Sequence, residues 1–135
     1  MVKESALKTY YGHVPTGDHS LYVTVRDHKK GLKALSHHLR YSPTGYNWGY
    51  GGSGPSELAR CILLDAFGVD DCPDTPNECR CDNNWAESSY PAFRDSVISD
   101  LKQEEDWKLY QDWILDWVFD HLSESVEIKE LVTQP

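Results

Sequence analysis

No apolar run in this 135-residue chain approaches the roughly 18 residues that a membrane helix needs. The first residues, MVKESALKTYYG, lack the apolar centre of a secretion signal. A cytoplasmic protein with no membrane contact is therefore expected. Positive charge is scarce in the second half. Residues 70–135 hold five Lys/Arg against 17 Asp/Glu, a net of −12, whereas residues 1–69 hold eight against five, a net of +3. A surface so acidic repels phosphates at ordinary salt, so no direct nucleic-acid partner is expected, although the first half leaves room for a local anion site.

Cysteine is sparse and badly spaced for a metal. Cys72, Cys79 and Cys81 form C-x6-C-x-C, whereas structural zinc sites use pairs two to four residues apart. His37 or His38 could complete such a set, but nothing in the sequence requires it. No metal and no cofactor are expected, with free thiols as the leading reading. Cys61 has Ile62, Leu63 and Leu64 as neighbours and is expected to be a small buried hydrophobe. His13, His19 and His28 lie near turns, and His37 and His38, being adjacent, would point to opposite faces of a strand. His121 falls on an apolar helical face. No nucleophile, paired acid and base, or metal set stands out, so no catalytic residue is assigned and an enzyme is the least supported class.

What is present is a 39% hydrophobic, 12% aromatic chain with five Trp and eight Tyr, enough for one compact domain over 1–135. KTYYGHV and SLYVTV have the β-branched and aromatic content of strands, separated by the turn PTGD, and DHKKG closes the second. LKALSHHLRYS suits a third strand or an irregular segment equally. SPTG, at 42–45, is another turn. A helix is expected to begin at Pro55 with Ser53 or Gly54 as its cap, burying Leu58, Ala59, Ile62, Leu63 and Phe67, and to stop at Gly68. Residues 69–86 have the composition of an acidic, Cys-bearing loop or insertion.

A second helix is expected near Tyr90, capped by Ser88 or Ser89, with Phe93, Val97, Ile98 and Leu101 as its stripe. A third carries Tyr110, Trp113, Ile114, Trp117, Val118 and His121 at helical spacing. The tail SVEIKELVTQP suits a short strand or a last helical turn. The expected fold is α+β: a small antiparallel N-terminal sheet packed against about three helices, with Trp107, Trp113 and Trp117 in the core.

Two features ask for a function. The first is Trp48, Gly49, Tyr50, Gly51, Gly52, Ser53 and Gly54, which spell G-x-G-x-x-G at the start of a helix. A dinucleotide fold needs a strand directly before such a loop, and here the turn-bearing RYSPTGYNW precedes it. No Lys-Ser/Thr pair follows, which excludes a P-loop. Two readings stay open. The glycines permit close packing of a sharp turn, or the bare backbone and helix start hold a small ligand or nucleotide.

The second feature is Asp112, Asp116, Asp120 and Glu124, spaced four apart so that they share one side of a helix. It suits a solvated face or a surface that docks on a basic protein partner.

The stretch SPTGYNWGYGGSGPSELARCILLDAFG resembles the signature of an uncharacterised prokaryotic and phage domain family of unknown function, whose members carry SPTGF-x-WGYGGSGPAQLA. YPAFRDSVISDLKQEEDWKL resembles a second block of that family. The chain departs from the pattern at Tyr46, at Ser56-Glu57 and in its Cys-bearing insertion. The resemblance implies no activity. It implies a context of phage, plasmid and chromosomal accessory genes. With the acidic face, it leads to the expectation of a non-enzymatic accessory protein that binds a host or defence protein that handles nucleic acid, as an acidic inhibitor of it.

Overall fold

A computed structural model describes residues 7–17, 19–39, 41–42, 45–68 and 84–133, with the backbone alone at 84–88 and 123–133. The architecture is the expected α+β one, a four-stranded antiparallel sheet with three helices. Strands β1 (Lys8–His13), β2 (Tyr22–Asp27), β3 (Gly31–Ala34) and β4 (Trp107–Tyr110) lie in the order β3-β2-β1-β4.

The alternation in the first two strands sorts the two faces of the sheet. Tyr10, Val23 and Val25 are buried, while Thr9, Tyr11, Thr24 and Arg26 point the other way. The β2–β3 hairpin is fixed by Asp27, whose carboxylate accepts the Lys29 and Lys30 N–H groups at 2.8 and 3.1 Å. The ambiguous third segment divides into β3 and an irregular stretch from Leu35 onward.

β4 corrects the expectation that Tyr110 belongs to the third helix. Trp107–Tyr110 pairs with β1, with Tyr110 opposite Thr9 and Trp107 opposite Gly12. The helical spacing of Trp113, Ile114 and Trp117 runs back by chance into WKLY, and a long-range pairing decides its conformation. Gly12 makes that pairing possible: a Cβ there would stand 2.1 Å from Cε2 and Nε1 of Trp107.

Helix α1 (Ser53–Ala66) begins two residues earlier than expected. Its cap is Gly52, in extended conformation, rather than Ser53 or Gly54. The Gly52 carbonyl accepts the Ser56 N–H at 2.9 Å. Pro55 is thus the third helical residue, where its missing N–H costs nothing because first-turn N–H groups have no acceptor within the helix. The helix stops as expected, with Gly68 at φ +97 and its N–H on the Asp65 carbonyl. Every residue from Gly54 to Ala66 is buried. α1 is a central helix, packed against α2 and α3.

Helix α2 (Asn84–Phe93) starts about one and a half turns before the expected position, so Pro91 lies near its end. It continues as a widened π turn at Arg94–Ile98, closed by the Ser99 N–H on the Arg94 carbonyl at 2.8 Å. Phe93 and Ile98 are buried, with Val97 and Leu101 packed beside them, as the stripe required. Residues 84–86 of the expected loop belong to α2, and 69–83 lie outside the described residues.

Helix α3 (Gln111–Thr133) takes up the tail as helix rather than strand. Its inner side is Ile114 and Val118, each worth about 1.5–3 kcal/mol when fully buried. Trp117 meets Phe93 edge-on at 5.2 Å. Trp113 departs from the core assignment and is 45% exposed, because its position falls a quarter-turn from the inner side.

Candidate functional site

The glycine loop is shaped by its packing. Gly49 has φ +89, a region that L side chains avoid, and a Cβ there would meet the Leu101 carbonyl at 2.9 Å. Its N–H donates to the Ile98 carbonyl at 3.0 Å. Gly52 and Gly54 lie against the Tyr50 ring and Asn47, with virtual Cβ distances of 2.6 and 2.8 Å. Gly51 alone meets nothing closer than Ser99 Oγ at 3.8 Å. Trp48 is fully buried, edge-on to Trp107 at 5.4 Å, with its indole N–H on the Lys102 carbonyl. Its ring is therefore taken up by the core.

Beside this loop, at the start of α1, lies a polar cleft of about 430 Å³. Tyr46, Asn47, Tyr50, Ser53 and Gly54 line it together with His19 and Ser20. Of the seven loop residues singled out in the sequence, Tyr50, Ser53 and Gly54 line the cleft. The first-turn N–H groups of Ser53 and Gly54 have no acceptor within the helix.

A second polar assembly escapes a sequence reading centred on the glycines. Glu57, Cys61 and Asp65 recur four apart on the central helix, with Arg60 beside them, and all are buried. Glu57 Oε2 lies 2.6 Å from His37 Nε2, and its other oxygen accepts the Tyr41 N–H at 2.8 Å. Arg60 donates to the His38 carbonyl at 3.0 Å, and the His38 N–H donates to Cys61 Sγ at 3.3 Å. Asp65 takes the Lys8 ammonium at 3.1 Å and the Tyr10 hydroxyl at 2.7 Å on the same oxygen.

This row ties α1 to β1 and to the 37–41 segment. Burial pushes the Cys61 thiol up to about 12 and holds the Tyr46 hydroxyl far above the ordinary tyrosine range, with Cys61 as the next contributor. Neither group ionises near neutral pH, which suits structure rather than nucleophilic chemistry. The signal in the sequence is the pattern SELARCILLDA, where Glu57, Arg60 and Asp65 interrupt an otherwise apolar helix.

The acidic row is exposed where it is described. Asp112, Asp116 and Asp120 are solvent-facing on α3, and the side chain of Glu124 lies outside the described residues. At about 100° per residue they sweep one arc of the helix, bounded by Phe119 on one side and Trp113 on the other. Those two rings are 48% and 45% exposed. His121 stacks on Trp117 at 5.4 Å and 12°.

Cys72, Cys79 and Cys81 lie outside the described residues. Among the described residues no group of three or more His, Cys, Asp or Glu could hold a metal. No described helix is long and apolar enough to cross a membrane.

Residues 10–76 match the model of a family of unknown function, DUF6166. The match runs from Tyr10, within β1, past the end of α1, and so takes in the glycine loop and the buried polar row apart from Lys8. β4 and α3, with the acidic arc, lie beyond it. No curated protein and no solved structure matches the chain.

Proposed function

We propose that this protein is a non-enzymatic interaction protein that docks on a basic protein surface through the outer side of α3. One observation carries the reading: Asp112, Asp116 and Asp120 are exposed in one arc between two large exposed rings, Phe119 and Trp113. Like charges four apart destabilise a helix by about 0.2–0.5 kcal/mol per pair. Beyond the favourable place of Asp112 in the first turn, folding therefore gains nothing from the row. Exposed aromatic anchors beside charges are the chemistry of interface hot spots. The accessory-gene context implied by the glycine-loop resemblance adds the class of partner: a cytoplasmic host or defence protein whose basic surface normally meets phosphates, with inhibition as the consequence. The glycines, meanwhile, have steric reasons for all but Gly51.

A photo-crosslinker at Phe119, activated in the producing cell, tests this. A basic partner is expected to be captured by the parent protein and lost in Asp116→Lys/Asp120→Lys, with an unchanged circular dichroism spectrum. The same capture from both proteins would end the reading. The cleft at the start of α1 supports a second one, a small polar ligand held by first-turn N–H groups and Tyr50. Native mass spectrometry and thermal-shift titration with nucleotides test it. A saturating rise in melting temperature supports it, and a clean apo mass with no shift removes it.

A further inference from the structure

The outer face of the sheet has a chemistry opposite to that of α3. Alternation and register place three cross-strand rows on it. His13 pairs with Tyr22. Lys108, Tyr11 and Thr24 form the middle row. Tyr110, Thr9, Arg26 and Leu32 form the third. The rows lie about 7 Å apart along the strands. Tyr22 is 49% exposed, Tyr110 50% and Leu32 65%, and among the described residues no helix packs over them.

The rings are ordered by one another. His13 stacks on Tyr22 at 4.5 Å and 14°, and its Nε2 is 2.7 Å from Thr24 Oγ1. The Lys108 ammonium lies 5.6 Å from the centre of the Tyr110 ring.

The charge on this face is positive. Arg26 and Lys108 point outward, and the exposed His28, Lys29 and Lys30 extend the row at the β2–β3 turn. The four strands contain one acid, Asp27, which is buried with its carboxylate engaged by the Lys29 and Lys30 N–H groups. Two shallow clefts, of about 310 and 330 Å³, meet at Arg26 and His28. One of them also takes in Tyr110 and Thr9, with Asp112 marking its acidic limit.

We infer that this face is a binding platform for single-stranded nucleic acid, with bases stacked on Tyr22, Tyr11 and Tyr110 and phosphates held by Arg26, Lys108 and the turn lysines. Aromatic rings interleaved with cations on an open sheet serve flexible strands whose bases can splay outward. A duplex hides its base faces and would use only the charges. Whole-chain charge argues against nucleic acid, but the acids are concentrated on α3 and the C-terminal half, whereas these strands carry Arg26 and Lys108 and no outward carboxylate.

Fluorescence anisotropy with a labelled oligothymidylate, an oligouridylate and a matching duplex, each about a dozen nucleotides long, tests the inference on the full chain. Single strands are expected to bind at low salt, more tightly than the duplex, and to weaken as salt rises. Tighter binding of the oligouridylate would name RNA as the ligand, and of the oligothymidylate DNA. Tyr22→Ala and Tyr110→Ala should each weaken binding about five-fold or more. Arg26→Gln and Lys108→Gln should each lower the salt slope by about one. Lys108→Gln removes an exposed charge and its contact with the Tyr110 ring and touches nothing buried, so it keeps the test decisive if a tyrosine variant fails to fold. Absence of binding at low salt, equal affinity for the duplex, or full binding by Lys108→Gln and Arg26→Gln together would overturn the inference. So would a dimer that dissociates on Tyr22→Ala while no oligonucleotide binds, because the face would then belong to a second copy.

Discussion

Replacing Gly12 with alanine is expected to destabilise the fold by about 0.5–4 kcal/mol. The added Cβ would stand 2.1 Å from Cε2 and Nε1 of Trp107 and 2.7 Å from Cδ1. Carbon atoms in contact prefer about 3.5–4.0 Å, so the ring must move by more than an ångström. It has little room, because Trp48 meets it edge-on at 5.4 Å and 87° and is itself fully buried. Overpacking of this kind costs about 1–3 kcal/mol, and losing the aromatic pair about 0.5–1.5 more. The reduced freedom of the unfolded chain gives back about 0.4–1 kcal/mol. Urea unfolding followed by tryptophan fluorescence measures the net, with near-ultraviolet circular dichroism reporting the ring pair. Gly12→Ala combined with Trp107→Leu should cost less than the two separate losses together, since the second change removes the clash. A Gly12→Ala protein as stable as the parent, or more stable, would refute the packing argument, because only the unfolded-state term would then be operating.

Asp65→Ala should cost about 3–5 kcal/mol in the same assay, because it removes the carboxylate oxygen that the buried Lys8 ammonium and the Tyr10 hydroxyl share, whereas Tyr10→Phe should cost only about 1 kcal/mol; equal costs would contradict the network. Gly51→Ala should be neutral or slightly stabilising and Gly49→Ala clearly destabilising, since only Gly49 combines φ +89 with a carbonyl 2.9 Å from the added carbon; thermal melts in the reverse order would refute that assignment. The Cys61 thiol, pushed up to about 12 by burial, should resist iodoacetamide in the native protein at pH 8 and react once urea unfolds it, as peptide mass mapping would show. The Lys29 N–H is the main cause that holds the Asp27 carboxyl below its ordinary value. Its contribution is therefore complete above about pH 4 and lost as pH falls through the lowered value. The stability gap between the parent and Asp27→Asn should narrow on acidification between about pH 5 and 2, and a gap independent of pH would disprove the mechanism.

Local patterns in the sequence reached the elements that local physics governs. The alternation in SLYVTV, the turn DHKKG and the stop at Gly68 each carry their cause within a few residues, and each is present. β4 was not legible because its cause lies far away: WKLY becomes a strand only when Trp107 can lie over Gly12, more than half the chain length distant. The start of α1 moved for a similar reason, since Gly52 is held by the Tyr50 ring and Gly54 by Asn47, so the turn closes earlier than Pro55 alone implies. Trp48 stands among the candidate ligand residues because glycines surround it, yet those glycines let Leu101 and Lys102 close over it.

The same distinction governs the candidate sites. A summed charge of −9 hides two faces of opposite sign, because strand alternation turns Arg26 and Lys108 outward and folds Asp27 in, while helical periodicity gathers Asp112, Asp116 and Asp120 on α3. Charge totals describe the solubility of the chain, but the face on which each charge emerges describes its partners. Tyr110 closes β4, Gln111 opens α3 and Asp112 follows it, so the boundary between the basic aromatic sheet and the acidic helix falls within one turn of chain. A strand lying on the sheet would be turned away from α3 by that carboxylate and guided across Arg26 toward the β2–β3 turn. Neutralising Asp112 should therefore extend oligonucleotide contact toward α3, whereas charge changes at Asp116 and Asp120 should leave oligonucleotide binding unchanged in the anisotropy assay.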